Sequence, residues 1–451
     1  MSKIVHWGVI FSVCGLTSTL PAQTPWGTAN GWLAKTNTND DPALTFPTNR
    51  QEQPTPPPPP PEAEPTSTAE TIPGPNNSSI GSGASVGSGV IDNRPQTAVQ
   101  FSTHHDEFGC ADRLCQPSAA CGSTWFGGVY VLGLSLTDDH GVELSYDGAN
   151  PYPAALATDS TDMKSGLGFE TRLGKYLNNG YGVEVSYWGV FPQQQELSVC
   201  STCDNLDLAS AIDFDGLIYN SGSIRDSVSF WYGTPENPAF VHRLRRNFEA
   251  HNIEINLLRN PSRRGGCTHF ELIAGFRYLQ LNEEFGFDTN FSGESFGSDP
   301  ANELFYEIDV DNHLFGFQVG GRMDHYIYRK LAIHGGSKFG LFGNHITHKQ
   351  ALTSGDGTRA TNLITEEDYR FNVSDNEAAF VGELFAGVSY DVCYNWRLTG
   401  GYRAVAACGV ARSTSNIPLA GEFGSAERYR ATNSSDYLLL HGAHMGIEYN
   451  W

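Results

Sequence analysis

Basic residues are scarce in this chain. Its 451 residues include 28 Lys and Arg against 50 Asp and Glu, which gives a formal net charge of -22. Binding to a phosphate backbone requires clustered Lys and Arg, because these side chains displace the counterions of the nucleic acid. The composition therefore predicts that nucleic acid is not a partner.

Long hydrophobic runs are absent after the N-terminus. No later segment approaches the roughly 18 consecutive apolar residues that indicate a membrane-spanning helix. Apolar residues make up 39% of the chain, and glycine is abundant at 49 residues. The apolar fraction lies below the roughly 45–50% of an ordinary soluble domain. These features exclude helical transporters and channels and indicate a fold without a large helical core.

The N-terminus has the features of a secretory signal peptide. Lys3 precedes a short apolar run from Ile4 to Leu16, and Ala22 is a small residue at a suitable cleavage position. We expect residues 1–22 to be removed during export. A buried N-terminal strand is the less favoured alternative.

The segment after the leader is poor in apolar residues. Residues 23–100 include six consecutive prolines, from Pro56 to Pro61, and a Gly/Ser-rich run. Such a composition buries too little surface to offset the entropy lost on ordering. We predict a disordered periplasmic tether, with the cell wall as a candidate partner. Docking of its proline run in a partner's groove is the less favoured alternative to a plain spacer.

Cysteine is the next informative residue type. An even number in an exported chain favours disulfides, although the sequence does not select the pairing. Cys200 and Cys203 form a CxxC motif without a second such motif, so a zinc site is disfavoured and no metal or cofactor is predicted. Residues 101–123 form a predicted cysteine-containing junction. The eight cysteines after the leader are Cys110, Cys115, Cys121, Cys200, Cys203, Cys267, Cys393 and Cys408.

Residues 124–451 show a two-residue alternation in ten runs. In the last run, Met445 and Ile447 share one face, while His444 and Glu448 share the other. Alternation of this kind is typical of β-strands with one apolar and one polar face. The fold class predicted for this segment is therefore all-β.

The connections between the ten runs alternate between long and short. Short turns join antiparallel neighbours, so all the long loops emerge at one end of the sheet. This asymmetry is typical of outer-membrane barrels, and an even strand number lets the first and last strands pair. The short connections are 177–179, 260–265, 326–329 and 391–394, and the long ones are 137–164, 199–246, 288–304, 351–370 and 411–434.

The pattern predicts a closed, antiparallel, up-and-down transmembrane β-barrel of about 10 strands. Twelve strands stay open as an alternative, because residues 142–146 and 227–232 could add a hairpin outside the membrane. A secreted β-sandwich is the rival fold. Its strands are usually shorter, and its Greek-key connections would break the alternation of long and short connections.

Charged side chains of both signs occur on the polar face, which lines the lumen if the apolar face meets lipid. Ten strands enclose little more space than an eight-stranded barrel, whose side chains fill its interior. A lumen plugged by paired charges is favoured over a narrow polar path, because the two signs are nearly balanced. The predicted lumen-lining residues are Glu170, Arg172, Glu184, Glu254, Glu271, Arg277, Arg322, Asp324, His334, Lys338, Glu383, Arg397, Arg403, His444 and Glu448.

Catalytic residues are not predicted. His334 and Ser337 are three residues apart on one strand, which places them on opposite faces and prevents a catalytic dyad. We expect a protein that is not an enzyme, and an outer-membrane hydrolase is kept only as a second alternative.

Several segments resemble a known family. They are Glu271–Phe285, Asn312–Met323, Phe380–Tyr390 and Gly446–Trp451. Together they resemble the outer-membrane β-barrel porin family found chiefly in planctomycetes, over about residues 125–451. The resemblance implies a barrel in a bacterial outer membrane with membrane lipid around it, and it carries no active-site residues.

The chain terminus resembles an assembly signal. Ile447, Tyr449 and Trp451 alternate in the manner by which the barrel-assembly machinery recognises its clients. The predicted function is accordingly a porin-like narrow or gated polar pore or a structural surface barrel. The main alternative is a surface adhesin or receptor that acts through its long external loops, with the barrel as its anchor.

Overall fold

The computed structural model describes residues 124–451, except 138–140, 152–153, 162–165, 178–179, 223, 261–266, 294 and 394. The predicted signal peptide, tether and junction, with Cys110, Cys115 and Cys121, lie outside the described residues. Within the described part, no helix has the length and apolar character needed to cross a membrane.

Strands account for most of the described chain. In chain order they are β1 (Thr124–Thr137), β2 (Glu143–Asp147), β3 (Leu156–Ala157), β4 (Gly166–Tyr176), β5 (Tyr181–Cys200), β6 (Leu208–Ser210), β7 (Leu217–Asn220), β8 (Arg225–Ser227), β9 (Val241–Arg259), β10 (Thr268–Asn290), β11 (Glu303–Tyr326), β12 (Leu331–Ser354), β13 (Thr361–Asn362), β14 (Arg370–Asp391), β15 (Trp396–Val410) and β16 (Asp436–Asn450). Short α-helices occur between them, α1 (Ser201–Asp204), α2 (Val228–Trp231) and α3 (Ala426–Tyr429).

Ten of the strands form a closed barrel. Their order is β1-β16-β15-β14-β12-β11-β10-β9-β5-β4, and every neighbouring pair is antiparallel. The first and last strands pair over twelve positions, from Phe126 with Asn450 to Thr137 with Leu439. The predicted closed up-and-down barrel is confirmed, with ten strands rather than twelve.

The two segments considered for an extra hairpin join different sheets. Strand β2 pairs with β3 and β6, whereas β7 pairs with β8 and β13. Residues 228–231 form helix α2 instead of a strand. These small sheets lie in the long connections and add nothing to the barrel wall.

Short and long connections between barrel strands alternate as predicted. The short ones are 177–180, 260–267, 327–330 and 392–395, and the long ones are 138–165, 201–240, 291–302, 355–369 and 411–435. Because antiparallel neighbours reverse direction, these two sets lie at opposite ends of the barrel, which we call the short-turn end and the long-loop end.

An apolar belt surrounds the barrel near the short-turn end. Phe317, Leu341 and Met445 are 61%, 74% and 72% exposed on its outer surface. Exposed aromatic side chains, including Tyr390 and Trp396, lie at its border. A continuous apolar outer wall with an aromatic margin suits the hydrocarbon region of a bilayer and its interfaces.

Six barrel strands extend well past the belt. Strands β5, β9, β10, β11, β12 and β14 have 19 to 24 residues, whereas about 9–11 tilted residues cross a membrane. Their extensions and the long connections form the head, which comprises the described residues of 141–161, 194–247, 282–312, 344–376 and 411–436. Its buried core includes Phe214, Trp231, Phe287, Tyr306 and Phe423.

Candidate functional site: the barrel interior

The fifteen predicted lumen residues all lie on the inward faces of the barrel strands. Nine are buried, namely Glu170, Glu184, Glu254, Glu271, Arg277, Lys338, Glu383, Arg403 and His444. Six are partly buried, namely Arg172, Arg322, Asp324, His334, Arg397 and Glu448. Period-two alternation gives this placement, because residues of one parity on a strand point to one side of the sheet.

Several ion pairs cross the lumen. Arg277 Nη1 on β10 lies 2.9 Å from Glu383 Oε2 on β14, although β11 and β12 separate these strands in the wall. Arg403 on β15 donates to Glu170 on β4, which also pairs with Arg172. Because these contacts join separate parts of the wall, the lumen at this level is filled by its own side chains.

Glu254 is the most heavily bonded carboxylate of this network. Lys338 Nζ lies 2.9 Å from its Oε1 and 3.0 Å from its Oε2. The amides of Asn252, Asn256 and Gln318 donate to it at 3.1 Å, 3.0 Å and 2.8 Å. A buried carboxylate with this many donors is tightly held, because each donor compensates part of its lost hydration.

A second ion-pair group lies on the β5, β10 and β11 side. Arg322 donates to Glu271, and its Nη1 lies 2.9 Å from Glu184 Oε2. Tyr176 Oη donates to Glu271 Oε1 at 2.9 Å. Arg322 thus bridges two carboxylates from two different strands.

At the short-turn mouth, one guanidinium is shared by three carboxylates. Arg397 lies 3.0 Å from Asp391, 3.5 Å from Asp324 and 3.9 Å from Glu448. Tyr130 Oη donates to Glu448 Oε1 at 2.7 Å. Three negative charges around one positive charge leave this mouth locally acidic, which attracts small cations.

An apolar layer lies beyond the charged network, toward the long-loop end. Leu132, Trp188, Leu279, Leu314 and Leu440 are each at most 1% exposed. Nine of the ten barrel strands contribute, and the tenth, β4, has glycine at 166 and 168. The layer comprises Leu132, Leu134, Leu136, Trp188, Val190, Phe248, Ala250, Leu279, Leu281, Leu314, Phe342, Ala379, Val381, Val405, Ala407, Val410, Leu438 and Leu440.

A buried ion triad separates the apolar layer from the core of the head. Arg246 Nη2 and Arg412 Nη2 lie 2.7 Å and 3.3 Å from Glu283 Oε1. Burial alone would raise the pKa of Glu283, but the guanidiniums of Arg412 and Arg246 lower it to about 2. Because Arg412 lies in the last long connection, this triad ties that connection to the wall.

Sequence reasoning did not identify the apolar layer or the triad. The signal was present in β1, where Leu132, Leu134 and Leu136 share the face of Tyr130. Glu283 likewise shares the face of Arg277, six residues earlier on β10. Its partner Arg412 lies in a loop without periodicity, so that contact has no sequence signal.

The remaining site predictions concern cysteine, metal and the terminus. Cys200 and Cys203 form a disulfide at the start of α1. Within the described ranges, no group of three or more His, Cys, Asp or Glu could hold a metal ion. Ile447 and Trp451 are exposed at the short-turn end, and the Trp451 ring packs 5.0 Å from that of Tyr449. Their role in assembly stays a prediction.

The fold and its interior define a closed, porin-like β-barrel of the outer-membrane type, with a charged lumen under an apolar layer. A family model described as Putative beta barrel porin-7 matches residues 150–451. The chain belongs to this family of β-barrel porins, as its sequence motifs predict. No curated protein matches the chain in sequence.

Solved structures of outer-membrane proteins align with this chain at low similarity. The outer membrane protease OmpT from Escherichia coli has 11% identity over 73% of this chain and 97% of its own, with a TM-score of 0.36. A major outer membrane protein from Thermus thermophilus has 9% identity over 73% and 99%, with a TM-score of 0.29. Ail of Yersinia pestis has 9% identity over 73% and 99%, with a TM-score of 0.23.

Proposed function

We propose that this protein is a non-catalytic outer-membrane barrel with a sealed lumen, whose function is to hold its folded head at the cell surface. The apolar belt supports insertion in the outer membrane. Short turns on the periplasmic side and long loops outside are the usual orientation of such barrels. The export leader and periplasmic tether expected from residues 1–100 agree with this orientation.

The apolar layer is the observation that carries this proposal. A water-filled path needs polar groups along its whole length, because ions lose their hydration at a closed apolar constriction. In the structure, the charged network ends at a layer whose largest member, Trp188, is 1% exposed. The triad and the core of the head lie above it, so three successive barriers support a sealed lumen over a permanently open pore.

The long external loops support a surface role. The described residues of the head include a core of 24 buried residues, so its loops form one folded unit with a fixed surface. Rigid presentation of a surface lowers the entropy cost of binding a partner. An adhesin or receptor role of the head, with the barrel as its anchor, is therefore the form of this function that the geometry supports best.

Single-channel recording in planar bilayers tests the proposal. We expect the mature full-length protein to insert without steady conductance. The double variant Trp188→Ala, Phe342→Ala, which opens the apolar layer on two sides, is expected to show at most brief current steps, because the ion triad and the core of the head still close the path. Leu341→Ala, on the lipid face next to Phe342, is the matched control and should stay silent.

Steady conductance of the unmodified protein would contradict the sealed lumen and support the pore. Each variant must first show the heat-dependent gel mobility of a closed barrel in detergent, so that a leak cannot be attributed to misfolded protein.

A further inference from the structure

Two histidines converge inside the barrel near the short-turn end. Register pairs place His334 of β12 opposite Gly387, Gly387 opposite Gly401, and Gly401 opposite His444 of β16. The two histidines thus stand three strand spacings apart on the same row of the wall, about 14 Å along its surface. Their ring centroids are nevertheless only 6.1 Å apart. Both side chains therefore lean inward toward each other.

The two glycines between them make this convergence possible. A Cβ atom at Gly387 would lie 2.7 Å from His334 Nε2, so the imidazole occupies the space of the missing side chain. A Cβ atom at Gly401 would lie 2.3 Å from the carbonyl oxygen of Ala386. Any larger residue at either position would push the rings apart or distort the wall.

Buried polar atoms without hydrogen-bond partners among the described residues lie beside this histidine pair. His444 is 6% exposed, and its Nδ1 is buried without a partner among them. Ser389 lies two residues after Gly387 on the same face, is 3% exposed, and its Oγ is likewise unpartnered in this part of the chain. Buried polar atoms left unpaired cost free energy, so such a group indicates a ligand that the protein alone does not supply.

On the His334 side of the pair, the electrostatic surroundings favour a cation over an anion. The acidic mouth formed by Asp324, Asp391 and Glu448 around Arg397 lies on the short-turn side. Asp324 is the direct cross-strand neighbour of His334. Arg172 and Arg403, the basic groups on the other side, both pair with Glu170.

We propose that His334 and His444 bind one divalent transition-metal ion, of the Zn²⁺ and Cu²⁺ class, at the short-turn mouth of the lumen. Imidazole nitrogen is a preferred ligand of these ions, and Cu²⁺ is bound most tightly in the first-row series. A metal at about 2.0–2.1 Å from one nitrogen of each ring holds the ring centroids roughly 5 to 6.5 Å apart. The observed separation of 6.1 Å falls in that range. Water completes the coordination.

Copper titration followed by electron paramagnetic resonance tests the proposal. The mature full-length protein is purified in detergent with a tag that contains no histidine, and Cu²⁺ is added in substoichiometric steps. We expect one site whose spectrum shows nitrogen hyperfine coupling from two imidazoles. His334→Asn and His444→Asn should each weaken binding by about tenfold to 100-fold, since each removes one of two protein ligands.

Two control variants test whether copper binding depends on His334 and His444 in particular. His345→Asn alters a histidine on the outer face that already bonds Asn376 at 2.9 Å. The double variant His104→Asn, His105→Asn removes the histidine pair that precedes the barrel. Both should bind Cu²⁺ as the unmodified protein does. Wild-type affinity in folded His334→Asn and His444→Asn, or a spectrum without two-nitrogen coupling, would overturn the proposal. Neither result bears on conductance, so the sealed lumen is tested separately.

Discussion

The membrane-level barrel has a charged interior and the head has an apolar one, although the same strands build both. On β10, Glu271 and Arg277 point into the lumen at the level of the belt, while Phe276 is 59% exposed outside. Further along the same strand, Phe285 and Phe287 point inward and Glu284 outward. The inward face therefore changes from charged to apolar within a single strand.

The surroundings of each region explain this inversion. In the belt, lipid leaves no hydrophobic advantage for an apolar interior, so packing relies on ion pairs and hydrogen bonds. In the head, water surrounds the wall, and burial of apolar surface again supplies the main driving force. The apolar layer marks the level at which burial of apolar surface replaces ion pairing as the main source of packing energy. A strand that crosses the boundary must change its pattern there.

Removing a large side chain from the core of the head is expected to produce the largest difference in stability between the head and the barrel. Trp231 is 1% exposed, and its ring lies 5.4 Å from Tyr219 and 5.6 Å from Phe291. Trp231→Ala should lower the unfolding free energy of the head by about 3–5 kcal/mol, because it leaves a cavity. Hydrogen exchange of head amides would measure this loss.

The barrel should respond differently to the same variant. Its heat-dependent gel mobility is expected to stay unchanged, and Trp396→Ala, at the exposed border of the belt, serves as the control for tryptophan loss. Equal destabilisation of barrel and head amides by Trp231→Ala would show that the two regions unfold as one unit.

A charge placed on the outer wall should lower stability much more in the belt than in the head, even at two positions of the same strand. Leu341 and Thr347 share the outward face of β12, but Leu341 is 74% exposed in the belt and Thr347 lies in the head. Leu341→Arg should lower stability by about 2–4 kcal/mol in a bilayer, because the charge meets hydrocarbon. Thr347→Arg should change it by less than about 0.5 kcal/mol.

Urea unfolding in lipid vesicles would measure both values. Similar values for the two arginine variants would mean that the belt does not lie in hydrocarbon at Leu341.

Acidification should weaken the head through a neutral buried histidine. His242 is fully buried, its Nε2 hydrogen-bonds the carbonyl of Tyr232 at 2.8 Å, and its Nδ1 lies 2.7 Å from Ser145 Oγ. Burial lowers the pKa of His242 from 6.5 to about 4, despite the carbonyl contact. The unfolded chain therefore binds more protons between these values. Stability of the head should fall as pH drops from 6.5 to 4, by about 2 kcal/mol at roughly pH 5.

Hydrogen exchange of head amides across this pH range measures the slope. His242→Gln should reduce it without abolishing it, because burial also lowers the pKa of His348 to about 4. Glu283 acts in a lower window, since its pKa falls from 4.5 to about 2 and its contribution is lost between those values. A slope unchanged by His242→Gln would exclude this histidine as its source.

The sequence predicted the site only where the pattern involves neighbouring residues on one strand. The inward placement of Glu254 and Lys338 follows from strand parity, which the sequence shows directly. Their contact at 2.9 Å does not, because it depends on which strands face each other across the lumen. His334 and His444 are a similar case. Each was placed on the lumen face, but their approach requires the row of register pairs through Gly387 and Gly401.

The sequence by itself determined the up-and-down order of the barrel strands and the inward face of each, because alternation and turn length are properties of neighbouring residues, but it left twelve strands open beside ten. The tertiary structure alone decided how the lumen is filled and how the head is built. Pairs such as Arg403 with Glu170, separated by 233 residues, form only when curvature and strand stagger bring distant faces together. The head follows the same rule, since its loops gain order only by packing on one another and on the strand extensions beneath them.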